Sequence, residues 1–282
     1  MQTGVTGVFY HPLFSRESWP VMRDKFRHFP AAMEELLDLP QVKLIQPQEV
    51  PMGLLQKVHT DELLYGMQGK WYYRGALLSV GGCVEACEKV YAGELANAFV
   101  FDVAAGHHAG PAHAWGGTYI SCSGPAVINL RQKFGPLKVA IIDTDCHHGD
   151  GTRGVFRGDP LTLHSCFCSH SDSEEEGTKF CVPVGWRCTD EEYLQMIREH
   201  FIPAAEKFQP QLIIHLLGHD TCRGDYGDRG LSTAFFPAAV RELKELAWRL
   251  CEGRLVVVTM GGARADLTSI IVPASIRVLA ES

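Results

Sequence analysis

The chain is 282 residues long, 46% hydrophobic and 21% charged, the composition of an ordinary soluble globular protein with a sizeable core. Its net charge of −7 argues against a general nucleic-acid surface and against binding to an anionic membrane. The ten cysteines form no CxxC pair, and Cys166 and Cys168 give only a CxC, so reduced thiols in a cytoplasmic compartment are expected rather than a disulfide framework. From the N-terminus, residues 1–10 lack a basic flank followed by a long apolar stretch, so neither a signal peptide nor a membrane span is expected. Short apolar runs at 7–10, 96–103, 137–145, 160–164, 211–218 and 254–260 predict strands, and helical patterns occupy 31–39, 61–68, 74–92, 190–208 and 237–252. Residues 172–177, Asp-Ser-Glu-Glu-Glu-Gly, read as a solvated acidic loop. Strands alternating with helices predict a mostly parallel α/β sheet covered on both faces, one domain over 1–282 with no internal repeat.

The most informative segment begins at the third long apolar run. Val139, Ala140, Ile141 and Ile142 lead into Asp143, Asp145, His147, His148 and Asp150 among glycines, so a buried strand delivers charged groups to one sheet edge. Unpartnered charge at a strand end costs several kcal/mol, so a metal or a hydrogen-bond network is expected to compensate it. In an extended segment Asp145 and His147, two apart, share a face and can meet one divalent ion, with Cys146 pointing the other way.

Ligands of open α/β sheets gather beyond the carboxyl ends of the strands. There the chain places His107 and His108, the 143–150 segment, Asp220, and the Gly-rich turn 261–264. Asp145, His147 and Asp220 make a two-carboxylate, one-imidazole set that suits Zn²⁺, with Fe²⁺, Mn²⁺ and Co²⁺ as alternatives. Such an ion lowers the pKa of its bound water and polarises a carbonyl. His107 and His108 supply acid and base groups, and Asp143 and Asp150 are available to fix their tautomers. Taken singly, the histidines also suit a polar loop and Asp220 a helix N-cap; their combination favours chemistry.

The blocks Gly106-His107-His108-Ala109, Asp143 to Thr152 and Gly218 to Asp225 resemble, in order, the three signature blocks of the histone deacetylase superfamily. Weaker likenesses run from Tyr10-His11-Pro12 through Val58-His59-Thr60 to Met260-Gly261-Gly262 and span nearly the whole chain. The resemblance implies the single-domain arginase/deacetylase fold, a mostly parallel sheet of about eight strands flanked by helices. It implies Zn²⁺ on Asp145, His147 and Asp220, with His107 backed by Asp143 and His108 by Asp150 serving water and leaving amine. It also suggests a monovalent cation (K⁺) site on Asp143 and the backbone of Asp145 and His147, joined by Thr162 and Leu163.

The chain departs from the family pattern at the oxyanion tyrosine and at the aromatic walls of the tunnel. Where the family has a tyrosine that stabilises the oxyanion, this chain has Arg264, after Gly261, Gly262 and Ala263. Arg264 could donate in its stead, bind a substrate carboxylate or face solvent, and Tyr226 is a second candidate. Loss of one oxyanion donor typically costs a factor of about 100 to 1,000 in rate. One aromatic wall of the acyl-lysine tunnel is replaced by Gly117 and the second falls in Cys168-Ser169-His170-Ser171 without an aromatic, leaving Trp115, Tyr119 or Phe167 to line a differently shaped pocket. These features point to a Zn²⁺-dependent amidohydrolase acting on a small acylated molecule rather than a histone, with no nucleic-acid or membrane partner and room for a homo-oligomer. A metal-dependent acyl or metabolite binder without catalysis is the alternative, and a binuclear ureohydrolase of the arginase type is the third reading.

Overall fold

The computed structural model describes residues 4–281. Its nine strands are β1 (Thr6–Phe9), β2 (Val42–Ile45), β3 (Asn97–Val100), β4 (Val139–Asp143), β5 (Thr162–Cys168), β6 (Ser173–Glu174), β7 (Lys179–Pro183), β8 (Leu212–Leu217) and β9 (Leu255–Thr259). They form one sheet in the order β2-β1-β3-β9-β8-β4-β5-β7-β6. Eight strands are mutually parallel, and β6 alone runs antiparallel, to β7. The central strands β4, β8 and β9 read VAIID, LIIHLL and LVVVT and are buried throughout, as β-branched and leucine runs require when helices cover both faces.

Helices Tyr73–Tyr91 and Ser123–Phe134 pack on one face, and Phe235–Cys251 and Ala265–Ala280 on the other. The amphipathic stripe of Phe235–Cys251 buries Val240, Leu243, Leu246 and Ala247. The expected helix at 190–208 is continuous but passes through a π-helical segment, Ile197–Phe201. The acidic segment expected as a loop instead forms β6 and a single turn, Glu175–Gly177. No helix among the described residues is long and apolar enough to cross a membrane.

The topology positions the site. After β3 the chain crosses to β4, and β8 and β9 later fill the space between them, so the strand order reverses there. Because all four strands are parallel, the loops after β3, β4, β8 and β9 emerge at one edge, where such a switch opens a crevice.

Candidate active site

β4 ends at Asp143, and the chain then enters a turn held by carboxylates. The Asp145 N–H donates to Asp143 Oδ1 at 3.1 Å and the His147 N–H to Asp145 Oδ1 at 3.0 Å, the local side-chain capture that Asp offers a turning backbone. Asp145 and His147 therefore meet through this turn rather than by strand alternation. The expectation that Cys146 points away fails for the same reason: its sulfur lies 3.2 Å from His147 Nδ1, within the same group of ligand atoms. Burial, reinforced by the charges of Asp220 and Asp145, pushes that thiol far up and keeps it protonated.

His147 Nδ1 lies 3.1 Å from Asp145 Oδ1 and 3.4 Å from Asp220 Oδ2. Asp145 Oδ2 accepts from the Gly261 N–H at 2.8 Å, and Asp220 Oδ1 from the Cys146 N–H at 3.3 Å. Asp220 Oδ2 is buried without a hydrogen-bond partner. Burial, and then the charge of Asp145, raises the Asp220 carboxyl to about 6. Two buried carboxylates that repel each other, one with an orphaned oxygen facing an imidazole, fit a divalent cation of the zinc type.

The loop after β3 adds two buried imidazoles. His107 Nδ1 lies 2.7 Å from Asp143 Oδ2, and His108 Nδ1 lies 2.6 Å from Asp150 Oδ1. Asp150 also accepts from Trp115 Nε1 at 2.9 Å, and the Trp115 ring lies 3.8 Å from that of His108. Burial pushes His107 down, but Asp143 and Asp145 outweigh it and hold the ring at about 9. Burial also dominates at His108, which stays below the ordinary imidazole value despite the Asp150 hydrogen bond. The two rings thus differ in proton affinity, as an acid and a base require.

The structure does not bring Arg264 to the site. Its guanidinium pairs with Asp266, Nε to Oδ1 at 3.0 Å, and reaches the Gly224 carbonyl at 3.3 Å. Tyr226 stands there instead: its Oη accepts from the Gly262 N–H at 2.9 Å, leaving its own proton free. Burial, then the charges of Asp220 and Asp145, pushes this phenol far up, so it remains a donor. Asp225 fixes the arrangement, accepting from the N–H groups of Tyr226, Ala263 and Arg264 at 2.8 to 3.2 Å. Buried Lys25 holds the Met260 carbonyl from below at 2.5 Å.

Gly261 keeps this junction open. A Cβ there would lie 2.4 Å from Asp145 Oδ2, 2.6 Å from Tyr226 Oη and 3.0 Å from Asp220 Cγ. Gly261→Ala is therefore expected to displace both carboxylates, to lower turnover by at least about tenfold and to weaken metal binding at this site on the same scale, the scale on which disturbed ligand surroundings act. Elemental analysis of the purified variant beside the wild type checks this; unchanged metal content contradicts it.

An inner chamber of about 130 Å³ is lined by His107, His108, Asp145, His147, Tyr226 and Gly261, with Val21, Met22, Trp115, Gly116 and Thr118 as walls. It adjoins a wider cavity of about 550 Å³ that shares Trp115, His147 and Tyr226 and reaches His148, His170 and Trp186. Gly117 lines neither. With φ at +81°, it lets the segment carrying Val21 approach, and a Cβ there would meet the Pro20 carbonyl at 2.7 Å and Val21 Cβ at 2.9 Å. Val21 and Met22 are wall residues that no sequence motif announces.

The expected cation site is corrected in part. Asp143, Asp145 and His147 share one turn, but Thr162 pairs in register with Val139 and Leu163 with Ala140, at the far end of β4 from Asp143. The Thr162 carbonyl accepts from buried Lys179 Nζ at 2.7 Å. Cys166 is the residue opposite Asp143.

Fold and site define the class: a domain of α/β architecture whose carboxylates, imidazoles and one phenol converge at the C-terminal edge of a parallel sheet. The sequence as a whole places it in a family. The model described as Histone deacetylase domain matches residues 67–279, and the chain belongs to that family. It is 28% identical over 267 residues to Histone deacetylase 15 of Arabidopsis thaliana, covering 83% of this chain and 48% of that protein. It is 33% identical over 208 residues to the histone deacetylase-like amidohydrolase of Pseudomonas aeruginosa, covering 69% of this chain and 55% of that one. A probable deacetylase of Archaeoglobus fulgidus is 26% identical over 292 residues, covering 92% of this chain and 81% of its own. The crystal structure of the HDA15 HD domain superposes with a TM-score of 0.84 at 25% identity, covering 98% of this chain and 89% of that one. The chain spans about half the length of the Arabidopsis and Pseudomonas proteins.

Proposed function

We propose that this chain is a zinc-dependent amidohydrolase that removes a short acyl group from a small acylated molecule. The observation that carries the reading is the orphaned, buried Asp220 Oδ2 beside Asp145 and His147, next to a chamber lined by His107 and His108, each backed by its own aspartate. Asp145, His147 and Asp220 would hold the ion, which when bound supplies Lewis acidity to the amide carbonyl and to a water. His108, the less basic ring, takes the water's proton, and Asp150 fixes its tautomer and stabilises the charged ring. His107, held protonated by Asp143, gives a proton to the departing nitrogen. Tyr226 Oη donates to the developing oxyanion. The small inner chamber, narrowed by Val21 and Met22, supports a short acyl group. A binuclear ureohydrolase finds no second carboxylate ligand set among the described residues.

Because the Asp150 hydrogen bond raises His108, its removal moves the base's pKa further down. Asp150→Asn is expected to lower kcat and to shift the acidic limb of kcat/KM against pH to lower pH. A limb that moves to higher pH contradicts the assignment of His108 as base.

The substrate class is tested by incubating the zinc-loaded protein with N-acetylated diamines, N-acyl amino acids and acetyl-lysine peptides. Chelator-sensitive amine release that favours the small compounds is expected. Turnover confined to the peptides overturns the small-substrate reading, and chelator-insensitive turnover overturns metal dependence.

A further inference from the structure

We infer that the chain carries a second metal site, distinct from the first, in which Cys166, Cys168, Cys181 and His148 hold a zinc-type ion. It is independent of the proposed amide hydrolysis. The register of β5 and β7 places Cys166 opposite Cys181, and Cys168, two residues on, shares the face of Cys166. Three thiols therefore stand on one sheet face, forming a small cluster apart from the main core. The turn after β4 brings His148 over them, with Nδ1 3.3 Å from Cys181 Sγ and 3.8 Å from Cys168 Sγ. All four ligand atoms lie within 4.8 Å of one another. A tetrahedral zinc with Zn–S of about 2.3 Å and Zn–N of about 2.0 Å needs sulfur-to-nitrogen edges of about 3.5 Å, which these two distances bracket.

Each sulfur is approached by a backbone or guanidinium N–H, and the Cys166 thiol in turn reaches the His147 carbonyl at 3.6 Å. The Gly149 N–H reaches Cys166 Sγ at 3.3 Å, the His170 N–H reaches Cys168 Sγ at 3.5 Å, and Arg153 Nη2 reaches Cys181 Sγ at 3.4 Å. Three thiols packed together for apolar burial alone would need no such donors; three thiolates bound to a cation do. The buried Arg153 guanidinium, which also pairs with Asp172 Oδ1 at 3.1 Å, keeps a cationic group against Cys181. A set of three thiolates and one imidazole selects zinc over magnesium or calcium. The ion would fasten β5 and β7 to the turn that carries His147, one residue before His148, and so brace the catalytic ligands.

The test is the metal content of the full chain, purified under reducing conditions without chelator. Wild type is expected to hold two zinc per chain, Asp145→Ala one, and the double variant Cys168→Ser/Cys181→Ser one. Cobalt loaded into Asp145→Ala should give an intense thiolate-to-cobalt charge-transfer band, a readout that does not require the cysteine variant to fold. One zinc in wild type and none in Asp145→Ala overturns the proposal, as does cobalt bound to Asp145→Ala without that band. Absence of amide turnover would overturn the proposed function and leave this metal count unaffected.

Discussion

Asp145→Ala is expected to abolish the proposed amide hydrolysis, with kcat/KM falling by more than about 10,000-fold, the scale on which removing one member of a catalytic unit acts. Asp145 does three things at once. Its Oδ1 faces His147 and accepts that residue's N–H, its Oδ2 accepts from Gly261, and its charge helps hold His107 protonated. Alanine removes one of two anionic ligands and the acceptor that folds the turn, so the variant loses the catalytic-site metal as well. Asp145→Asn separates the two roles: it keeps one oxygen acceptor for the turn but removes the charge, so it should fold as wild type and bind metal weakly. Thermal melting, elemental analysis and turnover on the same samples check this, and Asp145→Asn with undiminished metal and activity contradicts the ligand assignment.

Tyr226→Phe is expected to lower kcat by about 100- to 1,000-fold, equivalent to about 3 to 4 kcal/mol, with metal content unchanged. The phenol is a neutral donor whose proton is free beside the carboxylates, because its oxygen is already engaged as acceptor by the Gly262 N–H. Arg264→Ala should stay within a few-fold of wild type, since that guanidinium is committed to Asp266 and the Gly224 carbonyl. The reverse ranking, a crippled Arg264→Ala and an active Tyr226→Phe, would return the oxyanion role to the arginine.

The residues of the proposed site were readable from the sequence where they lie in the loops that follow buried strands. His107, His108, Asp145, His147 and Asp220 stand where apolar runs stop and polar groups begin, and parallel topology brings those ends to one edge. The features that escaped depend on tertiary contact. β2 and β7 read VKLI and KFCVP, too short and too mixed to announce strands away from the sheet centre. Helix Ser123–Phe134 opens with Gly124 and Pro125, which look like breakers although the first helical turn tolerates proline. Helix Ala265–Ala280 contains Pro273 and still packs on β1 and β3. Val21 reaches the chamber through a tight turn closed by the Trp19–Arg23 bridge, with a positive φ of 62° at Val21 itself. The choice between Arg264 and Tyr226 rests on Asp266 and Asp225, two neighbours whose roles appear only once the loops are placed. Strand alternation misplaced Cys146 because the strand ends three residues earlier, at Asp143.

Zinc dependence of amide turnover tests the central claim most directly. Protein stripped with a chelator, then titrated with Zn²⁺ while amine release from an N-acetylated small amine is monitored, should be inactive at first and recover with added zinc, whereas His107→Ala should take up the same zinc and stay inactive. Turnover that persists in the stripped protein, or that zinc restores equally in His107→Ala, would contradict it.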